Sequence, residues 1–162
     1  MDRVWAPWRM EYIASTKCTE EQGCFLCAGN RSDPDSLVVA KKGKAFVVMN
    51  KYPYSNAHVM IVPERHVANL EDLTDEELMD MMKLLKLSVR VLKETVDAAG
   101  VNVGVNMGRA AGAGLEEHIH IHVVPRWFGD TNFMPVLAET KVISEHLIET
   151  CRKLKERFEA LL

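Results

Sequence analysis

Three imidazoles recur at every second position in His118-Ile119-His120-Ile121-His122-Val123-Val124-Pro125. Side chains alternate faces along a strand. The three rings therefore line one side at about 6.6 Å per step, and Ile119, Ile121 and Val123 line the other. With six His in 162 residues, composition gives about 0.008 chance runs of this spacing, which sets coincidence aside. Three readings fit the row. It can be the exposed face of an edge strand, although Lys, Thr or Glu serve there equally well. It can give a catalytic zinc two ligands at i and i+2, with a third from elsewhere. All three rings cannot share one ion, since the outer pair lies about 13 Å apart. Or a neutral imidazole, titrating near pH 7, attacks phosphorus and forms a covalent intermediate. Its neighbours then hydrogen-bond the phosphate oxygens and the leaving group.

The segment before the row favours an anion. Asn106-Met107-Gly108-Arg109-Ala110-Ala111-Gly112-Ala113-Gly114 is rich in small residues, which let backbone N–H groups approach a phosphate closely. Arg109 and Arg126 flank the region, and either can pair with phosphate. Without the histidines, such a loop reads as a tight turn between strands.

Cys24-Phe25-Leu26-Cys27 has the spacing of half a metal site. By itself it leaves zinc, redox chemistry and plain structural thiols open. Residues 1–15 carry early charges and a Pro and lack an apolar stretch, unlike a secretory signal. A reducing, cytoplasmic compartment and no disulfide framework are expected. Cys18 and Cys151 are not expected to be ligands. No apolar run reaches the length of a membrane span. Twenty Lys and Arg stand against 23 Asp and Glu, a formal charge of −3. That disfavours a protein living by neutralising a nucleic-acid backbone. Apolar residues at 48% are enough to bury a core.

Elements must position these groups. Residues 1–36 read as an irregular arm on a single domain spanning 1–162. Trp5, Trp8 and Tyr12 either anchor the arm or stack on a base. Leu37–Ala40 and Ala45–Met49 read as a hairpin around a turn at Lys41–Lys44. Residues 50–56 read as a loop, and His58–Val62 as a third strand stopped by Pro63. Leu78, Met81, Met82, Leu85, Val89, Leu92 and Val96 fall at helical spacing, predicting a helix over about 75–98. Thr74 and Glu77 form a capping-box pattern at its start, and Gly100 suits a left-handed residue after its end. Met60, Met79, Met81, Met82 and Met107 read as core filler. Val101–Met107 and His118–Val124 are the last strands. Ile143–Leu162 is a second helix with Ile143, Leu147, Cys151, Leu154 and Phe158 on one side, and His146 lies at its edge. Strands before and after one long helix give an α+β domain on an antiparallel sheet of about five strands.

The run HIHIHVVP resembles the signature of the histidine-triad (HIT) family, His-φ-His-φ-His-φ-φ with φ apolar. NKYPYSNAHVMIVPERH is similar to a second block of that family. WAPWRMEYI and PRWFGDTNFM are similar to the branch containing bacterial diadenosine tetraphosphate phosphorylases. The resemblance implies a HIT-like fold, with a homodimer formed through the long helix and the sheet edge. It also implies a nucleotide-binding enzyme that cleaves dinucleoside polyphosphates at the α-phosphate through a nucleotidyl-histidine. Phosphate or water is the acceptor, and neither nucleic acid nor membrane is a partner. His120 becomes the nucleophile, and His122 hydrogen-bonds the phosphate and assists the leaving group. Asn50 contacts ribose (alone it reads as a capping Asn), and His58 supports the site. Asn106 contacts phosphate, Gly112 and Gly114 offer backbone donors, and Trp127 joins the substrate-binding set. Cys24, Cys27, His66 and His118 become a structural Cys₂His₂ zinc site. Gly114 stands where phosphorylase-like members carry a Ser, so a hydroxyl for the incoming phosphate is missing there.

Overall fold

The computed structural model describes residues 24–29, 36–130 and 143–162. Most of the predicted arm, with Trp5, Trp8, Tyr12 and Cys18, lies outside them. Five strands form one antiparallel sheet: β1 (Val38–Lys42), β2 (Ala45–Met49), β3 (Val59–Pro63), β4 (Gly100–Val105) and β5 (Ile121–Arg126), in the order β1-β2-β3-β5-β4. Helices α1 (Phe25–Gly29), α2 (Asp75–Thr95) and α3 (Leu147–Glu159), with short 3₁₀ turns at Leu70–Asp72 and Arg109–Ala111, complete the described elements. This is the α+β arrangement expected, with a long helix inside the chain and a second near its end.

Alternation along the strands builds a core on each side of the sheet. Ala45, Val47, Met49, Val59, Ile61 and Val123 face the cluster that contains Met81, Leu84, Val91 and Leu92 of α2 and Leu154 and Phe158 of α3. Phe46, Val48, Met60 and Val62 point the other way, where Leu26 of α1 closes a smaller cluster. The segment holding the cysteine pair thus covers the sheet face opposite the long helices.

The β1–β2 turn is tighter than predicted. Lys41 and Lys42 pair with Phe46 and Ala45, leaving Gly43-Lys44 as the turn. Gly43 has φ +59, and a Cβ there would sit 2.0 Å from Asp80 Oδ2. That oxygen accepts the Lys44 N–H at 3.1 Å, so the hairpin is tied to α2.

The apolar stripe of α2 is wider than its buried face. Met81, Leu84, Ser88, Val91 and Leu92 are buried, whereas Leu78, Leu85, Val89 and Val96 are only half-buried at its margin. Met60 and Met81 fill core as expected, but Met79, Met82 and Met107 are exposed by 57%, 54% and 51%. Helical spacing marks an apolar side without saying how much of it a neighbour covers. Beyond α2 the left-handed residue is Asp97, at φ 50, a residue type that tolerates this conformation. Gly100 instead opens β4. α3 starts at Leu147, not Ile143, because His146 is its cap: the His146 Nδ1 accepts the Ile148 N–H at 3.4 Å. Cys151 is buried on this helix.

The predicted capping box at Thr74 and Glu77 is present and does more than cap. Glu77 is buried, and its carboxylate takes two bonds from Arg65, each 2.8 Å. Arg65 also donates to the Asp72 carbonyl at 2.7 Å. Helix start and preceding loop are therefore one unit. The Arg65 bonds, followed by those from the Thr74 backbone and hydroxyl, hold the Glu77 carboxyl at about 2 against an ordinary 4.5. Because the folded-state value is depressed, this carboxylate stabilises the fold fully above about pH 5. Its contribution disappears as pH falls from there toward 2. Glu77→Gln is expected to cost about 2 kcal/mol at pH 7 and to flatten acid sensitivity in that window. Denaturant unfolding at pH 7 and at pH 3 checks both.

Candidate active site

β5 begins at Ile121, so only His122 of the triad lies in the ladder. The strand predicted over His118–Val124 starts three residues later and runs two residues further. The alternation nonetheless holds, since Ile119 and Val123 enter the helix-side core. His122 is opposite Met60 on β3 and Gly104 on β4. Gly104 places no side chain beside the His122 ring, and a Cβ there would meet nothing within 4 Å.

The hydrogen bonds determine which nitrogen of each ring carries a proton. His120 Nδ1 lies 2.9 Å from the His118 carbonyl. A carbonyl only accepts, so Nδ1 bears the hydrogen and Nε2 bears the lone pair. Burial is the main force on this ring and holds its pKa below the usual histidine value, which favours the neutral form. His58 Nδ1 receives the Tyr54 backbone N–H at 3.1 Å, and the Asn50 Nδ2 approaches it at 3.4 Å. The Asn50 amide orientation is fixed independently, because its Oδ1 accepts the Tyr52 N–H at 2.9 Å. With donors aimed at Nδ1, His58 carries its hydrogen on Nε2. That hydrogen reaches His122 Nδ1 at 3.1 Å, so His122 in turn carries its hydrogen on Nε2. A ring with an Nε2 lone pair thus packs edge-on, centroids 4.7 Å apart, against a ring with an Nε2–H. A nucleophile beside a donor is the combination needed for displacement at phosphorus.

Asn50, His58, His120 and His122 are therefore brought together. Asn106 follows β4 directly, where Val105 pairs with Ile121, which puts it at the His120 end of the sheet. The loop after it has left-handed Gly112 at φ 84 and a short 3₁₀ turn over Arg109–Ala111. The Gly112 N–H donates to the Arg109 carbonyl at 2.9 Å. Gly112 thus shapes the turn and does not offer that N–H to a ligand. Arg109 Nε donates to Glu116 at 2.8 Å across the loop. Trp127 is not brought to the triad. It packs on the helix-side core, the face opposite His122, and its indole N–H donates to the Val96 carbonyl at 2.9 Å. Arg126 is likewise engaged elsewhere, with Asp130 and Asn102.

Cys24, Cys27, His66 and His118 place one ligand atom each within 4.8 Å of one another. His118 Nδ1 lies 3.4 and 3.5 Å from the two sulfurs, and His66 Nδ1 lies 3.3 Å from Cys27 Sγ. Tetrahedral zinc with ordinary bond lengths needs ligand separations of about 3.3–3.8 Å. His118 Nε2 donates to the Pro63 carbonyl at 2.9 Å, which turns the Nδ1 lone pair toward the sulfurs, as an oriented metal ligand requires. Burial, then Cys24, push the Cys27 thiol up. A divalent cation would oppose both effects, since coordinating thiols are deprotonated. The donor set fits zinc.

A model described as HIT domain matches residues 31–129. The chain belongs to the HIT family. This HIT protein is 40% identical over 161 residues to the AP-4-A phosphorylase of Mycobacterium tuberculosis, covering 95% of this chain and 83% of that one. Among solved structures it superposes on a Zn-bound histidine triad family protein from Mycobacterium smegmatis with a TM-score of 0.70 at 26% identity, covering 86% of this chain and 95% of that one. A hypothetical histidine triad nucleotide-binding protein from Sulfolobus tokodaii gives a TM-score of 0.70 at 26% identity, covering 85% of this chain and 93% of that one.

Sequence reasoning missed Tyr54. Its backbone N–H sets the His58 tautomer, and its ring stacks on His58 at 4.8 Å. Pro53 marks the loop, but nothing in residue type announces a backbone donor. Arg65, beside the predicted ligand His66, carries no sequence signal either, since a basic residue twelve positions before a capping Glu follows no recognisable period.

Proposed function

We propose that this HIT protein cleaves dinucleoside polyphosphates such as diadenosine tetraphosphate at the α-phosphate, by adenylyl transfer to inorganic phosphate. The observation that carries the reading is the pairing of an Nε2 lone pair on His120 with an Nε2–H on His122. It occurs in a chain 40% identical along 95% of its length to a protein named AP-4-A phosphorylase. In the first step His120 Nε2 forms a bond to the α-phosphorus, and the bond to the bridging oxygen of ATP breaks. The His122 Nε2–H donates to the phosphoryl and departing oxygens. In the second step a phosphate oxygen attacks the adenylyl-His120, releasing ADP and returning the electron pair to Nε2. Diadenosine tetraphosphate and phosphate thus become ADP and ATP.

Asn50 is assigned to the ribose hydroxyls, and Asn106 with the Gly114 backbone to the phosphate oxygens. His58 acts by orienting His122. Cys24, Cys27, His66 and His118 would hold a structural zinc. Its chemistry is to fix four ligands in one geometry, and His118, so fixed, presents its carbonyl to His120. We read the chain as one domain with residues 1–36 as an arm, in a reducing cytoplasm where thiolates persist. A homodimer through α2 and edge strand β4 is supported by exposed Met82 and Val103 and by half-buried Leu78, Leu85 and Val89. Sedimentation of a species at the 18.3 kDa chain mass alone would contradict it. Among the described residues no helix is long and apolar enough to cross a membrane.

Gly114, lacking a hydroxyl, favours a second reading in which water is the acceptor and AMP and ATP are the products. Incubation with diadenosine tetraphosphate, with and without phosphate, separates the two. Formation of ADP and ATP only with phosphate is expected. AMP and ATP at equal rates in both would establish hydrolysis, and no product in either would leave a binding module.

A further inference from the structure

We propose that Thr150 is a positioning residue: from α3 it holds Asn56, and with it the loop that aims His58 at His122. The inference rests on the proposed roles of His120 and His122.

Thr150 is fully buried. Its Oγ1 lies 2.8 Å from Glu145 Oε2, and 3.3 Å from both the Asn56 side-chain oxygen and the His146 carbonyl. A hydroxyl has one hydrogen and two lone pairs. The hydrogen goes to Glu145, the nearest and the charged acceptor. Asn56 can then bond to Thr150 only as a donor, which requires its amide turned so that Nδ2 faces the hydroxyl. The order becomes Asn56 Nδ2–H to Thr150 Oγ1, and Thr150 O–H to Glu145. Lys153 donates to the same carboxylate. The Lys153 bond first, then the Thr150 bond, hold the Glu145 carboxyl below its usual range, so it stays an acceptor at neutral pH.

What this bond restrains is the approach to His58. Ala57, between Asn56 and His58, is buried with φ 55. That conformation is unfavourable for a residue with a Cβ and persists only when neighbours enforce it. The helix-side core around Ala57 supplies part of that restraint, as do the bonds from the His58 N–H to the Ser55 carbonyl at 3.3 Å and from the Asn50 N–H to the His58 carbonyl at 2.9 Å. A cleft of about 470 Å³ separates Lys51 and Pro53 from Ile143 to Leu147. The Thr150–Asn56 bond crosses the same seam, joining α3 to the loop. If it is lost, the loop loses its tie to α3, and the 3.1 Å bond from His58 Nε2 to His122 Nδ1 is expected to lengthen. The His58 donor then holds the His122 tautomer less firmly.

The test compares Thr150→Val, which keeps the volume and removes the hydroxyl, with Thr150→Ser, which restores it. Long-range nitrogen–proton NMR of the intact protein reads the His122 tautomer without substrate. Wild type and Thr150→Ser are expected to show Nε2–H alone, and Thr150→Val a mixture of tautomers. With substrate, Thr150→Val is expected to lower kcat about tenfold with KM nearly unchanged. In a His58→Asn background it should cost nothing further. Asn56→Asp, which cannot donate, reports on the same bond if Thr150→Val fails to fold. A single Nε2–H tautomer in folded Thr150→Val or Asn56→Asp overturns the proposal. A mixture in those variants alongside no turnover in wild type instead overturns the proposed reaction.

Discussion

Replacing His120 with Asn is expected to slow nucleotidyl transfer by about 10⁴-fold or more, with nucleotide affinity within roughly tenfold of wild type. Asn is chosen because its amide N–H can take over the Nδ1–H contact to the His118 carbonyl, 2.9 Å away in the parent. Local structure is then retained while the Nε2 lone pair is deleted. No other described group stands ready to replace it. His122 holds a hydrogen on Nε2 because His58 occupies its Nδ1. His118 faces the two sulfurs with one nitrogen and the Pro63 carbonyl with the other. The loss therefore falls on kcat, since the deleted bond to phosphorus exists only from the transition state onward. Single-turnover kinetics and equilibrium titration with a non-cleavable analogue measure the two quantities. Turnover within tenfold of wild type would sink the assignment of the nucleophile.

Removing the cysteines is the second large effect. Wild type is expected to bind one equivalent of zinc, and Cys24→Ser with Cys27→Ser to abolish that binding and to destabilise the fold by about 3 kcal/mol or more. At this chain length that lowers the melting temperature by about 6–12 °C. The physical reason is where the site lies. α1 closes the second core through Leu26, against Phe46, Val48, Met60 and Val62. Two of the four ligands flank Leu26, and the other two come from the segment after β3 and the start of the triad. Among the described residues, that cover is then held by buried Leu26 and its immediate packing. Activity at a permissive temperature should fall too, because the ring of His118 belongs to the cluster while its carbonyl anchors His120. A metal that contacts the substrate predicts something else: turnover stops on chelation with no change in melting temperature. Elemental analysis and calorimetry decide between them. Zinc-free wild-type protein with an unchanged melting temperature in the double variant would contradict the account.

The site was legible where its signal is short-range and periodic. Three His at alternate positions survive any local shift of strand boundaries, so the late start of β5 did not obscure them. The Cys pair and the two remaining ligands became a set only through family resemblance, since spacing alone gives half a site. Features set by tertiary neighbours were not legible. Met82 and Leu84 both lie on apolar α2, and only the position of sheet and α3 decides that one is exposed and the other buried. Trp127 joins the substrate-binding set by resemblance alone. Strand parity, visible once β5 is placed, puts it on the helix side instead. Gly112 suited a phosphate-binding loop by composition, yet its N–H is already used in the turn. Thr150 and Asn56 meet across 94 residues, with no pattern linking them.

The central claim is a covalent bond between His120 Nε2 and the α-phosphorus. It is tested most directly by mixing wild-type protein with diadenosine tetraphosphate in the absence of phosphate, quenching rapidly under alkaline conditions that preserve phosphoramidates, and mapping modified peptides by mass spectrometry. The account predicts one adenylyl group on His120, absent in His120→Asn and discharged as ADP when phosphate is added before the quench. Product formation through the burst with no adenylyl group on His120, or with the group on His122, would contradict it.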